Sequence, residues 1–527
     1  MINAHEHLGA HEGRARDGMA TGAPASTAQL LVEGGDARLA LDPITGRNRY
    51  GCGPFPDPSL ADFGSSTASV ISERGFDAAD ALRARLYRQD ARGLTPAAYA
   101  VAMEALRRNL IGLCALQDMD GLEVVFSPSG TDLHLIIAEL VGDTPTSPLV
   151  CVDVEPEETG SGVPAALSGR HFSGHASLGA PVVQGQPVGA AARRFVAIPA
   201  RGPDGGLRPE TEIEAELDVV GREVTSQGGR ILLAVSDVSK TGLISPSLDT
   251  VMAFKARYGE AVEVVVDACQ FRLAPDSLCA YLDHGFMVAV TGSKFLSGPS
   301  FSGALFVPPA VGERLKSRLI SPGLRAYSAR GEWPRQWVGG QSMTEAANPG
   351  LLLRWEAALA ELAAFRALPT PEVTVFTARF SAIVKARLRN EPLFEPLEIR
   401  RLNREAVGGG IAWDLHQTIF PFMLRHAPGG RGGLLSLAAT QDVYRGLCAE
   451  PFPPRPNAVR ARLGQPVRCG ERDERPISAV RLCNSARLIV EAVDGGEAGA
   501  KAVIDRAMLA LDRTVESVKK ISASGRI

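Results

Sequence analysis

Residues 262–307, VEVVVDACQFRLAPDSLCAYLDHGFMVAVTGSKFLSGPSFSGALFV, hold the pattern that decides the fold. Short apolar runs at 262–267, 286–290 and 304–307 have the length of buried strands, and a helical segment separates the first two. Strands of this kind joined by helices are typical of a mostly parallel sheet that is covered on both faces. The polar residues that follow the first two runs fall at the sheet edge where α/β proteins place ligand groups.

The same alternation extends through the middle of the chain. A helix is expected from Thr95 towards Leu116, with Pro96 at a favoured first helical position. Further strands are expected at 122–126, 149–154, 195–198 and 231–235, and further helices around 134–141, 210–228 and 247–258. Together these elements predict an α/β protein whose large domain has three layers, α/β/α, around a mostly parallel sheet.

A length of 527 residues exceeds what one hydrophobic core usually serves, so more than one domain is expected. Changes in composition and hydrophobic patterning divide the chain into a flexible segment at 1–28, an N-terminal arm with helices at 29–120, a large domain at 121–338 and a smaller C-terminal α/β domain at 339–527. The smaller domain is predicted to hold a long connecting helix at 349–368, a second helix at 372–388, strands at 419–424 and 480–482, loops at 406–410, 427–434, 449–457 and 468–476, and a last amphipathic helix around 503–518.

The composition is that of an ordinary globular protein, with 45% apolar and 22% charged residues. A net charge of −3 gives no electrostatic reason to expect a nucleic acid or an anionic membrane as partner. The eight cysteines occur singly, and two groups of histidines lie in Gly-rich stretches without paired carboxylates, so neither a disulfide framework nor a metal site is predicted. With no apolar signal segment or membrane-spanning run, we expect a cytoplasmic protein.

Four segments carry the candidate chemistry. Ser127–Asp132 (SPSGTD) lies between a strand and a helix, where backbone N–H groups and hydroxyls can bind a phosphate, although a plain N-cap turn has the same composition. Asp267 ends an apolar strand and can keep a heterocyclic nitrogen protonated, while Gln270 can bond the neighbouring oxygen. The alternative for this pair is an ordinary strand-ending turn.

The third segment carries a lysine and the fourth an arginine. Lys294 stands among small residues after a buried strand, where loss of water favours the neutral and nucleophilic form of an amine. Arg481 lies between apolar residues on a short strand and can clamp a carboxylate with its two-pronged guanidinium, although a partly exposed strand arginine looks the same.

Taken in order, these segments resemble a known family. The chain is similar to fold-type I transferases dependent on pyridoxal 5'-phosphate (PLP), and more narrowly to their class V aminotransferase and cysteine desulfurase branch. The resemblance rests on Asp267–Gln270 (DACQ), on Thr291–Phe295 (TGSKF) followed by Gly-Pro, on the Gly-x-Ile-x-Pro turn within Ser236–Pro246, on Gly339–Gln341 (GGQ) and on Arg481. It covers roughly residues 95–525.

The resemblance implies a PLP cofactor held as a Schiff base on Lys294, with Asp267 against the pyridine nitrogen. It also implies a set of residues that contact the cofactor's phosphate and ring: Ser129, Gly130, Thr131, Ser239, Asp267, Gln270, Thr291 and Ser293. Arg481 would bind the carboxylate of an amino-acid substrate. Asn48 and Tyr50, in the Gly/Pro-rich segment 42–60, would contribute a substrate lid or belong to a plain surface loop. A homodimer is implied too, because such sites usually lie at a subunit interface.

Several positions depart from the family pattern. Ser293 stands where desulfurases usually have histidine, Ser239 where they have asparagine, and Cys483 where the arginine motif has serine. No cysteine lies in a recognisable persulfide-loop motif, which favours transamination or a Cα/Cβ lyase reaction over sulfur transfer. No aromatic residue occurs near Glu158–Thr159, where the ring-stacking residue is expected, and His171 is the nearest substitute.

Three functional hypotheses remain open from the sequence. The first is a PLP enzyme acting on an amino acid or related amine as an aminotransferase or a lyase. The second is a PLP-fold protein that binds or senses an amine without turnover. The third is an unrelated nucleotide-binding α/β enzyme that uses Ser129–Thr131 as its phosphate turn, although there is no Walker motif. Substrate specificity is expected from loops at 42–60, 156–185 and 320–345.

Overall fold

The computed structural model describes residues 24–64, 69–89, 93–142, 147–154, 157–410, 412–427, 433–449 and 460–523. Most of the expected flexible segment 1–28 lies outside the described residues, and so do parts of the loops expected at 427–434 and 449–457. The described end of the first segment is ordered, because Ser26 caps a short helix with its hydroxyl.

The elements follow the predicted alternation of strands and helices. The strands of the described residues are β1 (Leu60–Phe63), β2 (Glu123–Ser127), β3 (Leu149–Asp153), β4 (Arg194–Ala197), β5 (Arg230–Asp237), β6 (Ile244–Ser245), β7 (Val262–Ala268), β8 (Met287–Thr291), β9 (Gly303–Val307), β10 (Phe394–Pro396), β11 (Ile419–Leu424), β12 (Arg460–Arg472) and β13 (Arg475–Cys483). The α-helices are α1 (Thr27–Leu31), α2 (Glu73–Gln89), α3 (Pro96–Leu113), α4 (Gly130–Val141), α5 (Val163–Leu167), α6 (Glu210–Ser226), α7 (Leu248–Tyr258), α8 (Pro275–Asp283), α9 (Pro309–Leu315), α10 (Val338–Gln341), α11 (Pro349–Arg366), α12 (Thr370–Asn390), α13 (Leu437–Cys448), α14 (Ala486–Asp494) and α15 (Gly496–Ala523).

The large sheet has the order β2-β9-β8-β7-β5-β3-β4, and β6 pairs with β5 at its end. Every strand on this path runs in the same direction except β9, which is antiparallel to both of its neighbours. The chain order turns back between β3 and β5, and the carboxyl ends of strands next to such a point are where open α/β sheets bind ligands. Asp267 is paired with Ser236 on one side and Ala289 on the other, so it lies in the middle of that edge.

Alternate residues of these strands pack against different helical layers. Val264 and Val266 of β7 belong to the core that α3, α8 and α11 share, whereas Val265 packs in a second core with α4. Both cores consist of fully buried side chains, so the sheet is covered on its two faces. The expected three-layer α/β/α architecture with a mostly parallel sheet is confirmed.

A second, smaller sheet has the order β1-β12-β13-β11-β10. Strands β11, β12 and β13 come from the C-terminal third of the chain, but β1 comes from the N-terminal arm and pairs parallel with β12, with Leu60 opposite Arg460. The arm is therefore part of this sheet. Pairing over 400 residues of sequence leaves no local signal, which is why the sequence indicates only an irregular segment there.

The prediction of a loop at 468–476 is wrong. The chain forms a long hairpin there, in which β12 and β13 meet at a turn formed by Asp473 and Glu474, both in the left-handed region with φ of 50° and 59°. The charged residues of RARLGQPVRCGER hide the strand, because Arg460 and Arg462 are buried at its start while Arg468 is exposed, which gives no regular alternation of apolar and polar residues. Strand β13 is for the same reason longer than the expected 480–482. Helices α2, α13 and α14 were also missed by the sequence analysis.

One buried ion pair connects the large sheet to the segment that precedes β11. Arg404 donates from Nε to Oδ2 of Asp237 (2.7 Å) and from Nη2 to Oδ1 (2.5 Å), and both side chains are fully buried. The hydroxyl of Tyr281 donates to the same carboxylate at 2.5 Å. Asp237 is the last residue of β5, and its neighbours Ser236 and Val238 line the cavity described below.

A second buried carboxyl group makes stability depend on pH. Glu332 is fully buried and accepts hydrogen bonds from the Ser328 hydroxyl (2.6 Å), the Ala329 backbone N–H (3.0 Å) and the Tyr99 hydroxyl (3.0 Å). Burial nevertheless raises the pKa of Glu332 from 4.5 to about 7. A carboxyl group whose pKa is higher in the folded than in the unfolded chain stabilises the fold fully below the unfolded pKa, and this stabilisation is lost as the pH rises through the folded pKa.

We therefore expect Glu332 to lower the free energy of unfolding as the pH rises from about 4.5 to about 7. The Glu332→Gln variant should lose that part of the slope, which is at most ~1.4 kcal/mol per pH unit, the effect of one proton. Urea unfolding of both proteins at several pH values measures the two slopes. Equal slopes for the variant and the wild type would contradict this assignment.

Candidate active site

A cavity of about 390 Å³ opens at the carboxyl ends of β5, β7 and β8, next to the first turn of α4. It is lined by almost all of the residues that the sequence analysis selected: Tyr50, Ser129, Gly130, Thr131, Ser239, Asp267, Gln270, Thr291, Ser293, Lys294 and Arg481. Asn48 does not line it. The Asn48 side-chain oxygen accepts hydrogen bonds from the backbone N–H groups of Tyr50 (2.9 Å) and Cys52 (3.1 Å), so this residue shapes the loop that carries Tyr50.

Lys294 projects into the cavity from the tight loop that follows β8. Gly292 allows the loop to approach α11, because a Cβ atom there would lie 2.4 Å from the Cβ atom of Ala358. The loop is fixed on its other side by Phe295, whose ring stacks on Trp413 with centroids 5.1 Å apart. The Lys294 side-chain nitrogen has no hydrogen-bond or ion-pair partner among the described residues, so no protein group occupies the position that a ligand would take beside it.

Asp267 is held ionised by a histidine that the sequence analysis did not select. His134 of α4 places Nε2 at 3.3 Å from Oδ2 of Asp267, and its Nδ1 lies 2.7 Å from the carbonyl oxygen of Gly130. Burial alone would raise the pKa of Asp267, but the nearby charge of His134 outweighs it and holds that pKa well below the ordinary range. Asp267 raises the pKa of His134 in turn, against the effect of burial.

A second carboxyl group lies behind this pair. Burial raises the pKa of Asp153, at the end of β3, to about 8, although His134 opposes the shift. Asp153 is therefore largely protonated at neutral pH. The negative charge of the site is thereby concentrated on Asp267, at the cavity wall, where it can bind a cationic nitrogen.

The first turn of α4 offers an anion site beside these groups. Ser129 is the N-cap of this helix and accepts a hydrogen bond from Asp132 N–H at 3.2 Å. The turn packs tightly on the neighbouring strand, since a Cβ atom on Gly130 would lie 2.9 Å from the sulfur of Cys269. Free backbone N–H groups and the positive end of the helix dipole both favour an anion at this position.

Arg481 enters the cavity from β13 without an acidic partner of its own. Its Nη2 donates to the Gln465 carbonyl oxygen (2.7 Å) and its Nη1 to the Lys240 carbonyl oxygen (3.3 Å), while its Nε has no partner among the described residues. Burial lowers the pKa of Arg481. A buried cation of this kind attracts a carboxylate, and the two-pronged guanidinium suits its geometry.

Ser239 lines the cavity next to a buried cluster of charges. Its hydroxyl donates to Oε2 of Glu158 (2.6 Å), and Arg201 donates to Oε1 of the same carboxylate (2.9 Å). The adjacent Lys240 also faces the cavity, and burial together with the charges of Arg481 and Lys294 lowers the pKa of Lys240 to about 8. The wall on this side therefore carries the cationic side chains of Lys240 and Arg481 and the carboxylate of Glu158, whose charge Arg201 compensates.

Several buried polar atoms at the cavity wall lack a partner among the described residues, including the hydroxyls of Ser236 and Ser302 and the Arg481 Nε. These atoms, the anion site and the ionised Asp267 meet the needs of a phosphorylated aromatic cation, so the residues fit the cofactor that the sequence resemblance implies. Of the aromatic side chains in the described chain, Tyr50, His134 and Phe301 line the cavity.

The suggestion that His171 stacks on the ring is wrong. Its ring lies outside the cavity, where Nδ1 is 2.7 Å from the hydroxyl of Tyr327. The specificity loop expected at 320–345 does not reach the cavity either, because Leu324, Trp333 and Trp337 are buried in the core beneath α4. Residues 465–468 of β12, where the pairing with β13 is irregular, line the cavity in its place, and no sequence signal indicated them.

The cysteines do not provide a reactive thiol at this site. Cys269 is the cysteine that lines the cavity, and burial raises its pKa well above the ordinary value. Cys469, in the neighbouring hairpin, has its pKa raised by burial to about 11. Thiols with raised pKa values are poor nucleophiles at neutral pH.

No protein-family model and no curated protein matches this sequence, but solved structures do match it. The cysteine desulfurase CsdA of Escherichia coli is 14% identical and aligns over 87% of this chain and 94% of its own, with a TM-score of 0.49. The cystine C-S lyase C-DES, in complex with cysteine persulfide, is 15% identical over 85% of this chain and 97% of its own, with a TM-score of 0.49. Serine palmitoyltransferase of Sphingomonas wittichii is 11% identical and aligns over 87% of this chain and 88% of its own, with a TM-score of 0.47.

Because these identities are low, the functional interpretation rests on the residues of the cavity. None of the helices in the described part of the chain is long and apolar enough to cross a membrane.

Proposed function

We propose that this chain is a PLP-dependent enzyme that acts on an amino acid or a related amine. One observation carries the proposal: the unpaired Lys294 amine and the ionised Asp267 carboxylate line one cavity, beside a helix N-terminus suited to a phosphate. This set of groups also agrees with the motif order that the sequence resemblance rests on. A nucleotide-binding enzyme of another class has no need for a lysine and a buried carboxylate at these positions.

Each residue has a definite task in this proposal. PLP, when bound, supplies an electron sink for the bond that breaks at the substrate's α-carbon. Lys294 would hold the cofactor, and its amine would remove and return protons at the substrate's α-carbon. Asp267 keeps a proton on the pyridine nitrogen, and Arg481 holds the substrate's carboxylate so that the breaking bond has a fixed direction.

Within this chemistry we propose transamination or a Cα/Cβ lyase reaction. Sulfur transfer needs a thiolate that can reach the substrate, and the raised pKa values of Cys269 and Cys469 argue against either cysteine in that role. The buried and unneutralised Arg481 argues for a substrate with a free carboxylate. Candidates are therefore α-amino acids, and simple amines are expected to react poorly.

The test begins with the purified protein and added PLP. We expect a visible absorption band to form, and the Lys294→Ala variant to lose both this band and all turnover. Lys316→Ala is the matched control, because Lys316 is an exposed lysine paired with Glu313 and does not line the cavity. Screening the wild type against the common amino acids, with mass-spectrometric product analysis, then identifies the reaction. A wild type that forms no such band would end the proposal.

A second candidate function is a PLP-fold protein that binds an amine without turnover. It is favoured by the cavity wall near Thr159, where the described residues provide no aromatic ring to stack on the cofactor. Spectral changes with amino acids but no product would support it.

The sequence resemblance also supports a homodimer, which sedimentation of the purified protein tests. The sequence analysis further supports a cytoplasmic location, which cell fractionation tests.

A further inference from the structure

Arg38 of the N-terminal arm reaches the anion site at the start of α4. Its Nη2 lies 3.2 Å from the hydroxyl oxygen of Ser129, and its Nη1 lies 3.4 Å from that of Thr131. The guanidinium also lies over the ring of Phe301, with its carbon 4.6 Å from the ring centroid. Arg38 is thus part of the cavity wall, although it is 91 residues away from Ser129 in the sequence.

The carboxylate of Asp36 holds the Arg38 guanidinium in position by binding its Nε and Nη2 edge. Asp36 accepts from Arg38 Nε (2.9 Å) and Nη2 (2.6 Å), so the carboxylate occupies one edge of the planar group. The Nη1 end, which the carboxylate leaves uncovered, points to the turn that begins α4. Asp36 compensates the charge of Arg38, and an anion placed between Nη1 and the first turn of α4 would accept hydrogen bonds from both the guanidinium and the backbone N–H groups of that turn. The Thr131 hydroxyl can donate to the same anion, whereas the Ser129 hydroxyl donates to Oδ2 of Asp132 in the structure.

The arm is also held in place just before Arg38. Arg354 of α11 donates to the carbonyl oxygens of Glu33 (2.5 Å) and Gly34 (2.8 Å), and the Asn348 side chain donates to Gly34 as well (3.1 Å). Gly34 has a φ of +67°, and a Cβ atom there would overlap the Asn348 side chain. Only glycine fits this approach, so the arm enters the site by one path.

We propose that Arg38 binds the phosphate of the cofactor together with Ser129, Gly130 and Thr131. This inference rests on the proposed function, because it assigns the anion at the helix terminus to the phosphate of PLP. It adds a residue that the motif resemblance does not include. It also couples cofactor binding to the seating of the N-terminal arm, since Arg38 belongs to both.

The test compares PLP with pyridoxal, which has the same aldehyde and ring but lacks the phosphate. Affinities are measured from the visible absorption that each compound produces on the purified protein. Arg38→Met should weaken PLP binding about 10- to 100-fold, the effect of a lost charge-assisted hydrogen bond, and leave pyridoxal binding nearly unchanged. Arg38→Lys keeps the charge but not the planar fork, so we expect a smaller loss.

Arg194→Met is the matched control, because Arg194 is an exposed arginine paired with Glu223 and outside the cavity. Equal losses for PLP and pyridoxal would show a merely structural Arg38 and overturn the inference, and so would the absence of any loss. The proposed function fails in a different way, since the wild type would then bind neither compound through Lys294.

Hydrogen exchange gives a second measurement that does not depend on activity. If Arg38 binds the phosphate, PLP should slow backbone exchange at residues 31–38 in the wild type more than pyridoxal does. In Arg38→Met the two compounds should have the same small effect. Slower exchange with PLP in the variant as well would overturn the coupling of the arm to the phosphate.

Discussion

Replacing Asp267 with asparagine is expected to lower turnover about 100- to 1,000-fold, the usual cost of losing one preorganised electrostatic contact from an enzyme site. The carboxylate is buried, and His134 holds its pKa well below the ordinary range. An asparagine side chain has nearly the same shape but carries no charge, so it cannot keep a proton on the cofactor's pyridine nitrogen. The fold and the covalent attachment through Lys294 should remain.

The measurement combines single-turnover kinetics with the visible spectrum of the variant. Gln270→Glu is a useful comparison, because it changes a neighbouring cavity residue by one charge without touching the pair formed by Asp267 and His134. A variant Asp267→Asn with normal turnover would show that the cofactor nitrogen lies elsewhere. Loss of PLP binding together with activity would instead show that Asp267 contributes to affinity.

The largest effect on stability is expected at the buried pair of Arg404 and Asp237. Arg404→Met should reduce the free energy of unfolding by about 3–5 kcal/mol, because it leaves a buried carboxylate without its cation. Three hydrogen bonds are lost, two to the Asp237 carboxylate and one to the carbonyl oxygen of Asp414, and the hydroxyl of Tyr281 remains as a partner of Asp237. Methionine fills much of the same volume, so the change tests the charge more than the packing.

Arg379→Met provides the reference for this measurement. Arg379 pairs with Glu497 on the surface, and exposed pairs of this kind contribute about 0–1 kcal/mol. Urea titrations at neutral pH compare the two variants with the wild type. A destabilisation by Arg404→Met no larger than that by Arg379→Met would refute the assignment. A shift in the unfolding slope would indicate that the two sheets no longer unfold together.

Much of the fold could be predicted because the large domain is built from local patterns. The strand at 262–267 and the helix from Thr95 were expected within two or three residues of β7 and α3, since an apolar run or a cap residue marks each of them. The hairpin of β12 and β13 could not be predicted in the same way. Arg460, Arg462 and Arg481 are buried there by contacts with distant carbonyl and acidic groups, and their charges look like a loop in the sequence.

Some residues of the candidate site could also be predicted from local sequence patterns, and others could not. Asp267 lies at the end of the buried strand β7 and Lys294 follows the parallel strand β8, so the strand order alone was enough to expect both at one sheet edge. His134 carries no such signal, because a histidine within a helix is as often an ordinary core residue. Its role depends on the approach of α4 to β7, which brings its ring within 3.3 Å of the carboxylate.

The sequence by itself therefore determined the α/β class, the order of the chemical segments and the two residues at the centre of the cavity, because strand periodicity and the direction of parallel strands are local properties. Only the tertiary structure decided that Arg38 lies at the helix terminus, that Asn48 shapes a loop instead of facing the cavity, and that β1 joins β12. These placements depend on contacts between segments up to 400 residues apart. Such contacts follow from the packing of the whole chain, and no short pattern of residues encodes them.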